Sequence, residues 1–174
     1  MDWKKELKEW VIALATAFVV GILLTQFVII SAVVPTPSMQ DTIQPGDRLI
    51  GWRLSYLMEG PERGEIVIFK FPDDETQLYV KRVIGLPGET VKVSDGVVYI
   101  NDQPIEEDYI KEAPLKDGGP WTVPEDSYFM IGDNRNNSFD SRYWENTFVH
   151  KDKILGKVLF RYWPNPEWLS LIHI

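Results

Sequence analysis

Residues 10–34 (WVIALATAFVVGILLTQFVIISAVV) carry no charge. Twenty of these 25 are hydrophobic, the exceptions being Thr16, Gly21, Thr25, Gln26 and Ser31. Wound as a helix at about 1.5 Å per residue the run spans about 37 Å, enough for a hydrocarbon core of about 30 Å with some tilt. A helix buried in a soluble core keeps a polar face, and this one has almost none. A cleavable signal peptide has an apolar stretch of only about 7–15 residues. The pattern predicts an uncleaved, single-pass membrane anchor over 10–34 behind a short arm, 1–9.

The arm holds Lys4, Lys5 and Lys8 against Asp2, Glu6 and Glu9. Orientation follows Lys and Arg and largely ignores the acids. The expectation is a cytoplasmic N-terminus, an anchor in the cytoplasmic membrane and an extracytoplasmic domain over 35–168. Trp3 and Trp10 suit the interface.

After Pro35-Thr36-Pro37 the pattern changes. Short β-type runs follow at Arg48–Trp52, Glu65–Phe71, Leu78–Ile84, Glu89–Val93, Val97–Ile100, Ser127–Ile131 and Ile154–Trp163. Turn signals separate them: Pro45-Gly46-Asp47, Gly60-Pro61, Pro72-Asp73-Asp74, Leu86-Pro87-Gly88 and Asp117-Gly118-Gly119-Pro120. Asp95-Gly96 marks a hairpin tip. With no long helical period after residue 35, the fold class is mostly β. The expected domain is an antiparallel barrel or sandwich, compact, with one small hairpin extension near 89–100.

Composition narrows the chemistry. The chain has 174 residues, 18 basic and 26 acidic side chains, two His and no Cys. Three basic and three acidic residues lie in the arm, so the net charge of -8 falls on the remainder. That sign argues against nucleic acid as a partner. Without Cys there is no disulfide scaffold, thiol nucleophile or Cys-ligated zinc. His150 lies in a charged stretch and His173 is penultimate, so neither a His-based triad nor a metal centre is expected, and no cofactor is implied. A hydrolase here needs a hydroxyl whose base is an amine, the Ser-Lys arrangement.

Two segments supply that pair. Ser38 follows the stiff Pro35-Thr36-Pro37 backbone. Lys81 lies in Leu78–Ile84, where alternation puts Tyr79, Lys81 and Val83 on one face and Val80, Arg82 and Ile84 on the other. One cation must then face the apolar side, and a buried Lys loses basicity until its neutral amine serves as a general base. Taken alone, Ser38 equally reads as a turn serine and the strand as an edge with both cations in water. A third segment, Ile131–Trp144, alternates acids with Arg just after an apolar strand, as a packed ion-pair network does. A plain polar loop is the alternative.

Together these strings resemble the bacterial type I signal peptidases: the anchor, Pro-Ser-Met at 37–39, PGD at 45–47, RGEIVIF at 63–69, YVKRVIGLPGE at 79–89, GDNRNNSFDSRYW at 132–144 and GKVLFRYWP at 156–164. The resemblance implies a membrane-anchored serine endopeptidase that cuts secretory preproteins after small residues, of Ala-x-Ala type, through an acyl-enzyme. It makes Ser38 the nucleophile and Lys81 the general base. It makes Ser138 the hydroxyl that orients the amine, and the Ser38 N–H with Thr36 the oxyanion donors. Arg82, Asp133, Asp140 and Arg142 become the supporting ion pairs. Val34, Pro35, Met39 and Val80 are the expected lining of a groove that takes the substrate as an added strand. Pro37 departs from the family, in which Gly is frequent at that position. Leu54, Tyr56, Leu57 and Met58 read either as membrane contacts or as core.

Two other functions stand beside this one: a specialised relative maturing pilins or conjugation proteins, and an inactive anchored β scaffold. The terminal LSLIHI, 169–174, reads either as a native apolar end or as a non-native tail, since one reading frame of a transposase-adapter sequence encodes it.

Overall fold

The computed structural model describes residues 3–169. Helix α1 (Trp3–Leu23) runs on through a wider π-helical turn, Leu24–Val28, giving 26 residues long and apolar enough to cross a membrane. None of the α1 side chains is buried against the rest of the chain. Residues 3–9 of the arm are thus the first two turns of the helix. The anchor expected over 10–34 is corrected at its other end: Ile29–Val33 form strand β1. The cause is a partner. β1 pairs antiparallel with β2 (Arg48–Trp52), from Ile29↔Trp52 to Val33↔Arg48, and Ile30 enters the core. β-branched residues suit that pleated, half-buried setting.

The remaining strands are β3 (Ile66–Phe71), β4 (Asp74–Gly85), β5 (Thr90–Ser94), β6 (Val97–Ile100), β7 (Gln103–Pro104), β8 (Gly118–Thr122), β9 (Ser127–Ile131), β10 (Val149–His150), β11 (Ile154–Trp163) and β12 (Glu167–Trp168). The large sheet has the order β1-β2-β11-β3-β4-β9-β10, with β12 paired to β11; the small sheet is β7-β6-β5-β8. Every pairing is antiparallel. The mostly antiparallel β architecture with one N-terminal apolar helix is as expected. The extension is larger than one hairpin, because β7 and β8 flank β5 and β6. At the β5–β6 tip Asp95 (φ +51°) and Gly96 (φ +78°) both take left-handed backbone, the turn that matches strand twist.

Three apolar clusters hold the sheets. Ile30, Val34, Met39, Ile43, Leu49, Ile66, Ile68, Val158 and Leu169 form the cluster under β1 and β2. Val67, Phe69, Phe71, Val83, Tyr128, Met130, Trp144 and Val149 form the middle one. Ile84, Val91, Val93, Val98, Ile100, Val123, Phe129 and Ile131 join the two sheets. Leu169 opens the suspect terminal string yet is buried here; residues 170–174 lie outside the described residues.

Candidate active site

Thr36 has an extended backbone (φ -122°, ψ 154°), the conformation favoured before a proline. Pro37 then opens a short 3-10 turn, Pro37–Met39, closed by Gln40 N–H donating to the Pro37 carbonyl at 2.9 Å. At the first position of a helical turn the missing N–H of proline has no partner to lose. The departure from glycine is therefore accommodated locally. The turn buries Ser38 and Met39. Asn134 pins it from above: its backbone N–H donates to the Ser38 carbonyl (3.1 Å) and its side-chain amide to the Pro37 carbonyl (3.1 Å). At Gly132 any Cβ would strike both the Ser38 carbonyl oxygen and Ser138 Oγ, so the loop passes at backbone distance from the turn.

From the other side, β4 delivers Lys81. Its Nζ lies 2.5 Å from Ser38 Oγ, and the side chain is 3% exposed. Thr36 Oγ1 is 3.2 Å from the same Oγ. The Lys81 amine also lies over the Tyr79 ring, 5.4 Å from its centroid. Burial lowers the Lys81 pKa from an ordinary 10.5 to about 8. The charges of Asp140 and Asp133 oppose that fall, and Arg142 adds to it. A desolvated ammonium is disfavoured, so a large share of this amine is neutral near pH 8.

Arg82, the next residue, points the opposite way and is also fully buried. An edge strand with both cations in water is thereby excluded. Arg82 makes a bidentate pair with Asp133 (Nε–Oδ1 2.8 Å, Nη2–Oδ2 2.6 Å) and donates to the Gly64 carbonyl. Asp140 takes two bonds from Arg142 at 2.8 Å and one from the Gly132 N–H at 3.1 Å. The four supporting residues read from the sequence are thus two buried pairs. A third pair, Arg135–Glu107, has both bonds at 2.6 Å. Glu107 comes from the strandless segment 105–117 and has no local sequence signal. Arg82, Arg135 and Arg142 stand against only Asp133 and Asp140, and that imbalance of three to two was the available clue.

Two expectations are corrected. Met39 does not line a groove: it is fully buried in the cluster under β1, because the 3-10 turn aims it into that cluster while Ser38 meets Lys81. The buried Ser138 Oγ has no hydrogen-bond partner among the described residues, so the bond expected between Ser138 and Lys81 is not made. Val34, Pro35 and Val80 do line a groove of about 540 Å³, whose walls are Ser31–Ser38 on one side and Gln77–Lys81 on the other, with Asn137 and Phe139 beside them. His150 is at the surface, Nδ1 2.6 Å from Asp152 Oδ1, away from this groove.

Comparison with known proteins points to one family. The family model described as "Signal peptidase, peptidase S26" matches residues 7–163. A probable signal peptidase I-2 of Synechocystis is 44% identical over 88% of this chain and 72% of its own length. A signal peptidase I of Leptolyngbya laminosa is 40% identical over 91% and 80%, and signal peptidase IB of Staphylococcus aureus 32% over 95% and 94%. The crystal structure of a signal peptidase I from Enterococcus faecalis V583 superimposes with a TM-score of 0.50 at 37% identity, covering 57% of this chain and 97% of the other. A match over nearly all of the peptidase domain, with relatives this similar along most of their own lengths, makes this chain a member of the signal peptidase family, peptidase S26.

Proposed function

We propose that this chain is a membrane-anchored serine endopeptidase that removes N-terminal signal peptides from exported preproteins with a Ser38–Lys81 dyad. The observation that carries the reading is the Lys81 amine, desolvated and 2.5 Å from Ser38 Oγ, at one end of an elongated groove.

Substrate direction follows from the sheet. β1 is unpaired on one edge among the described residues, and β4 pairs with β9 only from Arg82 onward. Both free edges face the groove. Four successive antiparallel pairings separate β1 from β4 along β1-β2-β11-β3-β4, so the two strands run in the same direction. One leads to Ser38 and the other to Lys81. The acyl side of a substrate, running toward the dyad, lies parallel to both as an added strand. Val34, Pro35 and Val80 crowd its side chains, which fits the preference for small residues, Ala at the first and third positions before the cut.

Chemistry then proceeds in two halves. Ser38 Oγ attacks the scissile carbonyl while Lys81 takes its proton. The Ser38 N–H and the Thr36 hydroxyl hold the oxyanion, and one good donor there is worth about 3 kcal/mol. Lys81 passes the proton to the leaving amine, and the C–N bond breaks to give a Ser38 ester. Water, deprotonated by the same amine, hydrolyses that ester and restores Ser38. An inactive scaffold would have no reason to retain a lysine desolvated against a serine.

The anchor sets the context. With the N-terminus cytoplasmic, the helix hands the chain directly to β1, which holds the groove against the outer face of the membrane. Leu57 and Met58, 73% and 97% exposed, lie in the loop after β2 and contact lipid. The deciding experiment is cleavage of a preprotein with an Ala-x-Ala site by full-length protein in detergent. Both Ser38→Ala and Lys81→Ala abolish cleavage in folded protein; wild-type activity in both sinks the assignment.

A further inference from the structure

Segment 105–117 lies outside the groove and carries none of the reacting groups, yet it closes over the back of the site. Tyr109 stacks on the Arg82 guanidinium, whose carbon is 3.8 Å from the ring centroid; Arg135 is 5.9 Å from the same ring. The Tyr109 hydroxyl donates to Glu107 Oε1 at 2.6 Å, and Glu107 holds Arg135 in two bonds. Asn136 fastens the far end of the segment through the Leu115 N–H and the Ala113 carbonyl.

What lies beneath that lid ties the two halves of the dyad. Arg82 belongs to the strand that carries Lys81. Asp133, held by Arg82, accepts a 2.6 Å bond from Thr42 Oγ1, four residues past Ser38. The chain Arg82–Asp133–Thr42 therefore couples the base strand to the nucleophile turn. Arg135, clamped by Glu107, also donates Nε to the Gly132 carbonyl and lies next to Asn134, which pins Ser38.

We propose that Tyr109, anchored by Glu107, is a positioning residue for catalysis: its ring holds Arg82 flat against Asp133, excludes water from that pair, and so fixes the distance between Lys81 and Ser38. The inference rests on the Ser38–Lys81 reading. Tyr109 touches neither reacting group and is absent from the groove walls, so its removal acts on kcat and not on KM. The charged groups around Lys81 are Asp140, Asp133 and Arg142, with the Ser38 hydroxyl and the Tyr79 ring completing its surroundings. Loosening Arg82 unmasks the Asp133 charge and admits water. Both effects favour the ammonium, so the acid limb of activity moves to higher pH.

The test uses full-length protein in detergent and a preprotein with Ala at the first and third positions before the cut. Tyr109→Leu lowers kcat about tenfold or more, at unchanged KM, since small misplacements of reacting groups have large effects. Its acid limb shifts up by about half a unit. Tyr109→Phe keeps the ring and returns both readouts most of the way to wild type. Glu107→Gln keeps shape, removes the charge that fixes Arg135, and lowers kcat at unchanged KM. It serves as the second variant where Tyr109→Leu fails to fold. The proposal is overturned by wild-type kcat in either Tyr109→Leu or Glu107→Gln. A kcat loss in Tyr109→Leu that tracks its unfolded fraction with an unmoved limb also overturns it. Activity surviving in Ser38→Ala or Lys81→Ala refutes the dyad itself, a separate result read from separate proteins.

Discussion

Lys81 and Arg82 are neighbours in one strand and serve opposite faces of it. The Lys81 amine meets Ser38 at 2.5 Å, and the Arg82 guanidinium grips Asp133 from the other side. Strand alternation makes this inevitable: two adjacent cations in a strand buried on both faces each need their own partner. Lys81 receives a neutral hydroxyl and is left with a low pKa; Arg82 receives a carboxylate in a bidentate pair. In the proposed mechanism one dipeptide thus supplies both the base and the brace that holds it.

The first consequence is a pH profile. In the proposed dyad Lys81 acts as a base only when neutral, and burial lowers its pKa to about 8. Activity rises with pH through that value and falls about tenfold per unit below it. Initial rates of preprotein cleavage between pH 5 and 9 check this; a profile flat down to pH 5 contradicts an amine base.

Stability should move the other way from activity when the amine is removed. The folded protein binds fewer protons than the unfolded chain between pH 8 and 10.5, so its stability rises across that window. Below it, the unfavourable contribution of a buried ammonium is fully present, at most about 3 kcal/mol. Lys81→Met fills the same volume without a charge. At pH 7 it abolishes cleavage and raises the thermal midpoint by several degrees. A midpoint below wild type at pH 7 would show that the amine contributes net stability.

Arg142 tests the electrostatics independently. It neutralises Asp140, which otherwise stabilises the Lys81 ammonium. Arg142→Gln leaves Asp140 buried without its partner, at a cost of about 3–5 kcal/mol. The surviving folded enzyme has its acid limb displaced to higher pH. An acid limb displaced to lower pH, measured on the folded fraction, would reverse the assigned sign.

Much of this was legible beforehand, for identifiable reasons. Arg48–Trp52, Val97–Ile100, Ser127–Ile131 and Ile154–Trp163 occur as strands with those bounds, because short runs rich in β-branched and aromatic residues sit between strong turn signals. Ile29–Val33 was not legible as strand. An unbroken apolar run looks the same whether lipid or β2 covers it. Met39 was misread because nearness in sequence to Ser38 says nothing of direction in a 3-10 turn. Glu107, Tyr109, Thr42 and Asn134 were missed because each acts on residues far along the chain. Tyr109 is 27 positions from Arg82, and Thr42 is 91 from Asp133.

The proposed membrane contact at the loop after β2 has its own readout. Leu57 and Met58 are exposed, and the 3-10 turn before them, Arg53–Tyr56, is tied to the anchor end by Arg53 Nε donating to the Ile29 carbonyl. Leu57→Ser combined with Met58→Ser leaves cleavage of a short soluble peptide in detergent unchanged and lowers preprotein cleavage in vesicles several-fold. Equal rates in vesicles would remove lipid from the role assigned to this loop.

Ser138 gives the sharpest separation of stability from activity. Its hydroxyl is buried beside the Ser38 turn and unpaired among the described residues, a state that costs about 1–3 kcal/mol. A folded protein keeps such a group where a later state uses it, and hydrogen bonds at catalytic sites often tighten only with substrate bound. As Ser38 becomes an ester, its contact with Lys81 is lost and the amine needs a new acceptor. We propose Ser138, whose Oγ sits beside the Ser38 turn, as that acceptor. Ser138→Ala therefore raises the thermal midpoint or leaves it unchanged, while deacylation slows at least about tenfold and the acyl-enzyme accumulates. Trapping the acyl-enzyme by rapid acid quench, followed by mass measurement of the intact chain, reads this directly. A destabilised Ser138→Ala with wild-type deacylation would assign the hydroxyl to the fold alone.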